Sequence, residues 1–245
     1  RHNRETTETV NVIEMVGTTD GMRITYDDEG ERLFVSRRMG EEKSRWADLI
    51  EVRTSDGEQV HFTVSVEGEE VFLLAVSSRW LVTSCTDRHD RLWDVETGEL
   101  VHEFEDVHST VWAAVDPSGA RVARGQSSSD GGLNRVVVWD IKGERSSAAP
   151  PEHEAVTTDG GWSPSGDRLF TCSYDGASLW SAADGALIAE FEHSGECRSG
   201  VFNEEGSLLV TTTNEGEVRV WDGETGEASH QLVGHDDRAI ISASF

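Results

Sequence analysis

The chain has 245 residues, 36% of them hydrophobic, and a formal net charge of -26 from 47 acidic against 21 basic residues. That apolar content, with aromatics spread along the chain, suffices for a core and excludes global disorder. With Lys43 and Lys142 as its lysines and no basic stripe, the sequence is not suited to the nucleic-acid backbone or to an anionic membrane surface. The acidic residues are spread over both halves, which reads as a solubilising surface rather than a concentrated site for a basic ligand. Cys85, Cys172 and Cys197 have no metal-type spacing, and an odd number without a disulfide framework fits a reducing compartment. No secretory leader and no apolar run of membrane-spanning length is legible, so a cytoplasmic protein is expected.

Residues 1–8 read as a disordered tail. The segment Thr9–Val16 reads as a fourth strand without its first three. A unit over 17–61 follows, with strands Met22–Tyr26 and Arg32–Val35 about a turn at Gly30, and Val52 standing where later units carry Trp. The unit 62–104 brings Arg91-Leu92-Trp93-Asp94, then Gly98 and a weaker strand Leu100–Phe104. The unit 105–151 carries Trp139-Asp140 after an inserted polar loop, Gln126–Asn134. Its Pro150-Pro151 falls where a fourth strand belongs, so a short or missing edge is expected there.

The unit 152–191 is more regular. A turn at Ser163–Gly166 leads to a strand Arg168–Cys172, a tight turn at Tyr174-Asp175-Gly176, and Trp180-Ser181 with Gly185 behind it. The unit 192–232 repeats this with Asn203–Gly206, Leu208–Thr212, Asn214–Gly216, Trp221-Asp222 and Gly226. Residues 233–245 open a sixth unit, and with 9–16 they form a partial one. The tryptophans Trp93, Trp139, Trp180 and Trp221 recur at 46, 41 and 41 residues. A fixed period in this range marks a repeat fold, and short β-rich runs between Gly and Asp turns mark antiparallel sheets. Four strands in each period of about 41 residues fit a propeller blade. The expected fold is all-β: five four-stranded blades plus parts of a sixth, C-terminally truncated. A monomer is expected, with edge-mediated association where strands are left open.

The Gly-His, Ser/Thr-x-Asp and Trp-Asp elements together resemble the WD40 repeat family over roughly residues 9–245. The resemblance implies a WD40-type β-propeller with a hydrogen-bonded His, Ser/Thr, Asp and Trp inside each blade. The matching residues are His153, Ser173, Asp175 and Trp180; His108, Ser128, Asp130 and Trp139; and His193, Thr213, Glu215 and Trp221, with Glu for Asp. In the second unit Asp87 and Trp93 match, while Cys85 stands for Ser and no His precedes. Such sets satisfy buried polar groups that would otherwise be costly. Their recurrence in three units marks them as structural rather than as a catalytic triad or a metal centre.

No catalytic motif stands out. Gly161-Trp162-Ser163-Pro164-Ser165-Gly166 approaches a nucleophile elbow, but its second Gly is one residue late and no helix follows. No cofactor and no metal are expected. The resemblance implies binding of proteins or peptides on the face near the central channel, and the acidic charge would favour basic ones among them. The positions there are Thr86, Ser129, Tyr174 and Asn214 before or in the tight turns, and Trp112 and Arg198 after the Gly-His elements. Aromatics and Arg are the usual anchors, which singles out Tyr174, Trp112 and Arg198, with a core-strand role as the rival for Trp112. The expected function is a non-catalytic scaffold. The alternatives are a sensor or regulatory propeller in a larger signalling or defence protein, as a kinase or NTPase fusion, and, behind it, a propeller enzyme.

Overall fold

The structure is a computed structural model. It describes residues 23–26, 32–39, 46–53, 59–64, 71–85, 87–104, 109–127, 134–142, 150, 153–232, 239–240, 243 and 245. The predicted tail 1–8, the strand at 9–16, the Gly30 turn, the core of the inserted loop and most of the sixth unit lie outside these residues.

All regular structure among the described residues is antiparallel β, in five sheets. The first holds β1 (Arg23–Tyr26), β2 (Arg32–Met39), β3 (Trp46–Arg53) and β4 (Gln59–Val64). The second holds β5 (Val71–Val76), β6 (Trp80–Cys85), β7 (Asp90–Asp94) and β8 (Leu100–Phe104). The third holds β9 (Ser109–Val115), β10 (Arg121–Ser127) and β11 (Arg135–Asp140). The fourth holds β12 (Thr157–Trp162), β13 (Arg168–Ser173), β14 (Gly176–Ser181) and β15 (Leu187–Phe191). The fifth holds β16 (Cys197–Phe202), β17 (Leu208–Thr213), β18 (Val218–Asp222) and β19 (Ala228–Leu232). Within each sheet the strands follow chain order. This is the all-β, propeller-type architecture expected, and the described sheets do not close into a ring.

Register explains why the period is so regular. Trp93 pairs with Leu81, Trp139 with Val122, Trp180 with Leu169 and Trp221 with Leu209; Val52 takes the same place opposite Leu33. Beside three of these tryptophans the pairing to the fourth strand slips, between Leu92/Trp93, Leu179/Trp180 and Val220/Trp221. The turn that follows needs a left-handed residue, and Gly98, Gly185 and Gly226 supply it with φ of 73°, 72° and 75°. The Asp after Trp closes that turn. Asp94 accepts the amides of Glu96 and Thr97, each at 3.0 Å, and Asp222 accepts those of Glu224 and Thr225 at 2.9 and 2.8 Å. Trp-Asp is therefore a packing residue followed by a turn cap.

The sheets stack through apolar faces. Phe34 of the first packs with Leu81 and Val95 of the second. Trp80, Val82, Leu92 and Phe104 meet Val122 of the third, and Trp112, Ala123, Val136 and Val138 meet Leu169 of the fourth. Phe170, Leu179 and Phe191 then meet Phe202, Leu209 and Trp221 of the fifth. Each such Val, Leu or Phe side chain stabilises the fold by about 1.5–3 kcal/mol on burial. The first strands lie together, β5 on β9, β9 on β12 and β12 on β16. The outer strand β19 is exposed throughout.

A second repeated device latches each sheet to the next. It uses the residue just before the one opposite Trp. Arg32 donates to the Ser78 carbonyl at 3.1 Å, Trp80 Nε1 to Gly119 at 2.8 Å and Arg121 to Gly166 at 2.6 Å, while Arg168 donates to Gly223. The position is Arg in three of the four sheets and Trp in the second.

Trp112 requires a correction. It is not on an exposed binding face but 6% exposed within the third sheet. Its indole lies against two glycines: a Cβ on Gly125 would stand 2.0 Å from Trp112 Nε1, and one on Gly160 would stand 2.3 Å from Trp112 Cη2. The ring fills a gap that exists because both neighbours lack side chains, so it belongs to the core between the third and fourth sheets.

Candidate interaction site

Every sheet has two ends. One carries the turns after Trp-Asp. The other gathers the β13–β14 turn, the β15–β16 loop and the β17–β18 turn, and it holds Tyr174, Arg198 and Asn214.

The fifth sheet shows how that end is built. Trp221 Nε1 donates to Thr211 Oγ1 at 2.8 Å, and Thr211 Oγ1 lies 3.0 Å from His193 Nε2. His193 Nδ1 stands 3.5 Å from Glu217, which accepts the Ser194 amide at 2.9 Å and pairs with Arg219 at 2.5 Å. Burial opposes ionisation of Glu217, but the Ser194 amide and Arg219 outweigh it and hold its pKa below the ordinary range. In the fourth sheet Trp180 Nε1 donates to Thr171 Oγ1 at 2.9 Å, and in the second Trp93 Nε1 donates to Thr83 Oγ1 at 2.9 Å.

The indole partner is thus Thr83, Thr171 or Thr211, not the residue two places on that the resemblance implied. Ser173 instead donates to Asp175 at 2.5 Å and to the Gly176 carbonyl at 3.0 Å. Thr213 Oγ1 accepts the Glu217 amide at 3.1 Å. The reason is strand geometry. Thr171 is the same-face neighbour of Leu169, which lies opposite Trp180, whereas Ser173 is another two residues, about 7 Å, along the strand. Likewise the carboxylate beside His193 is that of Glu217, and Glu215 is exposed. His153 meets Trp180 edge-on at 5.6 Å, and its buried Nε2 has no hydrogen-bond partner among the described residues. Burial lowers its pKa, with the Asp175 carboxylate opposing. Asp87 is held by Arg91 at 2.6 Å, away from Trp93. There burial raises the carboxyl pKa, but Arg91 and the His89 amide lower it further.

The third sheet departs from its neighbours. The position equivalent to Thr83 and Thr171 is Arg124, wholly buried, and Trp139 Nε1 has no partner among the described residues. Arg124 reaches into the second sheet, pairing with Asp90 at 2.5 Å and lying 4.1 Å over the Phe104 ring. Thr110 donates to the same Asp90 oxygen.

On the solvent side, the structure brings two expected contact residues together across a sheet boundary. Tyr174, 46% exposed, lies under the Arg198 guanidinium at 5.6 Å. Arg198 is held by Glu196 at 2.6 Å, and Asn214 fixes the same loop by accepting the Glu196 amide at 3.0 Å. A groove of about 570 Å³ runs along the fourth sheet, lined by Glu154, Asp175, Glu190 and Glu192 together with Trp180 and Phe191.

A family model described as WD domain, G-beta repeat, matches residues 185–222, the stretch from Gly185 to the Asp that caps the turn after Trp221. That stretch is a WD40 repeat. It is 24% identical over 216 residues to eukaryotic translation initiation factor 3 subunit I of Drosophila willistoni, covering 83% of this chain and 64% of that protein. It is 29% identical over 125 residues to the F-box-like/WD repeat-containing protein TBL1X of Mus musculus, covering 50% of this chain and 23% of that one. It is 26% identical over 156 residues to the protein LST8 homolog of Drosophila melanogaster, covering 58% of this chain and 47% of that one. The chain therefore spans less than two thirds of the length of these relatives.

Against this WD40 frame, Tyr174, Arg198 and Asn214 lie at one end of the fourth and fifth repeats, and Trp112 does not join them. Thr86, His108, Ser128, Ser129 and Asp130 lie outside the described residues. Among the described residues no group of three or more His, Cys, Asp or Glu is arranged to hold a metal, and no helix is long and apolar enough to cross a membrane. The Ser163–Gly166 stretch is a turn closed by the Gly166 amide on the Ser163 carbonyl at 2.8 Å, with Ser163 Oγ donating to Asp167 at 2.8 Å.

Proposed function

We propose that this chain is a non-catalytic WD40 scaffold that binds a protein partner at the end of the fourth and fifth sheets. The observation that carries this reading is the exposed Tyr174–Arg198 pair, stacked across the boundary between two repeats and pre-positioned by Glu196. A stacked aromatic and guanidinium lose little conformational entropy on docking, which makes them good anchors. The groove along the fourth sheet adds chemistry of the opposite kind. Its lining of Glu154, Asp175, Glu190 and Glu192 suits a Lys or Arg side chain of the partner. Relatives named for an initiation-factor subunit and for an F-box-like protein fit a role in assemblies.

The test is affinity capture with the chain as bait, beside a Tyr174→Ala, Arg198→Ala variant whose thermal unfolding matches the parent. A protein retained by the parent and lost from the variant is the expected result. Identical retention by both baits would remove this face from the proposal.

A further inference from the structure

We propose that Cys172 and Cys197 form a reversible disulfide that staples the fourth sheet to the fifth. The two residues come from different repeats. Cys172 lies in β13, paired with Asp159 of β12. Cys197 is the first residue of β16, which packs against both β12 and β13. Both are 0% exposed and belong to one apolar cluster with Phe170, Leu179, Phe202 and Leu209. Both are free thiols, and each acts on the other's ionisation. The start of β16 is fixed there by the Thr158 hydroxyl, which donates to the Cys197 carbonyl at 2.7 Å. The two cysteines therefore share one buried cluster on strands packed across the boundary between the two sheets.

Their surroundings divide the roles. The Cys172 S–H favours a thiolate on Cys197 against the cost of burial, and His193 adds to this. Burial, and then Cys197 itself, push the Cys172 thiol upward. A pair with one thiolate-prone and one thiol-bound sulfur is the arrangement in which the first attacks an oxidant and the second resolves the product. Asp159 would oppose a thiolate, but burial raises its own pKa and reduces that opposition. Cys197 also sits at the strand end behind the loop 192–196, of which Glu192 and Ser194 are exposed, rather than in mid-strand. Cys85 offers a contrast within the same chain. It lies in the second sheet, and burial pushes its thiol up to about 11.

With hydrogen peroxide as the oxidant, the step balances. The Cys197 thiolate attacks one peroxide oxygen, the O–O bond breaks, and the departing hydroxide takes a proton to become water. Cys172 then attacks the sulfenic sulfur, the S–S bond forms, the S–O bond breaks and a second water leaves. Two thiols lose two electrons and one peroxide gains them.

The test treats the folded full chain with a small excess of hydrogen peroxide, quenches in acid, alkylates remaining thiols under denaturing conditions and maps the digest without reductant. A peptide joining Cys172 to Cys197, abolished by dithiothreitol, is expected, with Cys85 recovered alkylated. Cys172→Ser should trap Cys197 as sulfenic or sulfinic acid. The oxidised parent should melt several degrees above the reduced chain, because the bridge closes a loop between two repeats. Full alkylation of both cysteines after treatment, a bridge that uses Cys85, or a bridge that lowers the melting temperature would each overturn the proposal.

Discussion

The hydroxyl of Thr211 accepts the indole N–H of Trp221 at 2.8 Å and in the same position meets His193 at 3.0 Å. One side chain thereby satisfies two buried polar groups. Thr211→Val keeps the shape and removes both bonds, and an orphaned buried donor costs about 1–3 kcal/mol. Denaturant unfolding should show that loss with an unchanged slope. An equal loss from Glu215→Gln, on the exposed turn, would contradict the assignment.

Arg124 takes the place of that threonine in the third sheet and answers Asp90 of the second. Removing one member of a buried pair leaves an uncompensated charge, typically about 3–5 kcal/mol. Arg124→Met should therefore be among the most destabilising single changes. Adding Asp90→Asn to it should recover part of the loss, as read from a double-mutant cycle.

Gly160 has no room for a methyl group, since its Cβ would stand 2.3 Å from Trp112. Gly160→Ala should cost about 1–3 kcal/mol by overpacking. Combining it with Trp112→Phe should restore more stability than the sum of the single effects allows. Additive losses would show that the indole is not what fills the gap.

His153 is held neutral because burial lowers its pKa from 6.5. The unfolded chain therefore takes up a proton that the folded chain resists. Its contribution to stability is full above pH 6.5 and falls as the pH drops below that value. Asp87 and Glu217 have lowered pKa values, so their contributions are present above the ordinary carboxyl range and are lost only at more acid pH. Melting temperature should decline in two stages, the first starting near pH 6.5 and the second below about pH 4. His153→Gln should flatten the first stage and leave the second.

Much of the fold was legible in the chain. Trp93, Trp139, Trp180 and Trp221 each stand opposite an apolar residue of the second strand, and even the degenerate Val52 does so, because period and turn residues recur together. The site was legible only in part. Tyr174 and Arg198 were singled out by type and turn position, and they meet. Trp112 was singled out by type as well, yet it is buried. Nothing local distinguishes a tryptophan on a channel face from one pressed between Gly125 and Gly160 on other strands.

The partner of each indole divides the two levels most clearly. That each tryptophan N–H needs an acceptor follows from its chemistry, and that the acceptor sits on the second strand follows from the repeat. Choosing Thr171 over Ser173 depends on strand register and on the reach of the indole across one pleat. By itself the sequence determined an all-β chain of stacked repeats, the residues of each turn, and an acidic composition poor in lysine, since these depend on neighbours along the chain and on composition. Only the tertiary structure decided that Arg124 answers Asp90, that Cys172 and Cys197 share one buried cluster, and that Arg198 covers Tyr174. Each of those contacts joins two sheets, and the packing of one repeat on the next is set by side chains remote in sequence.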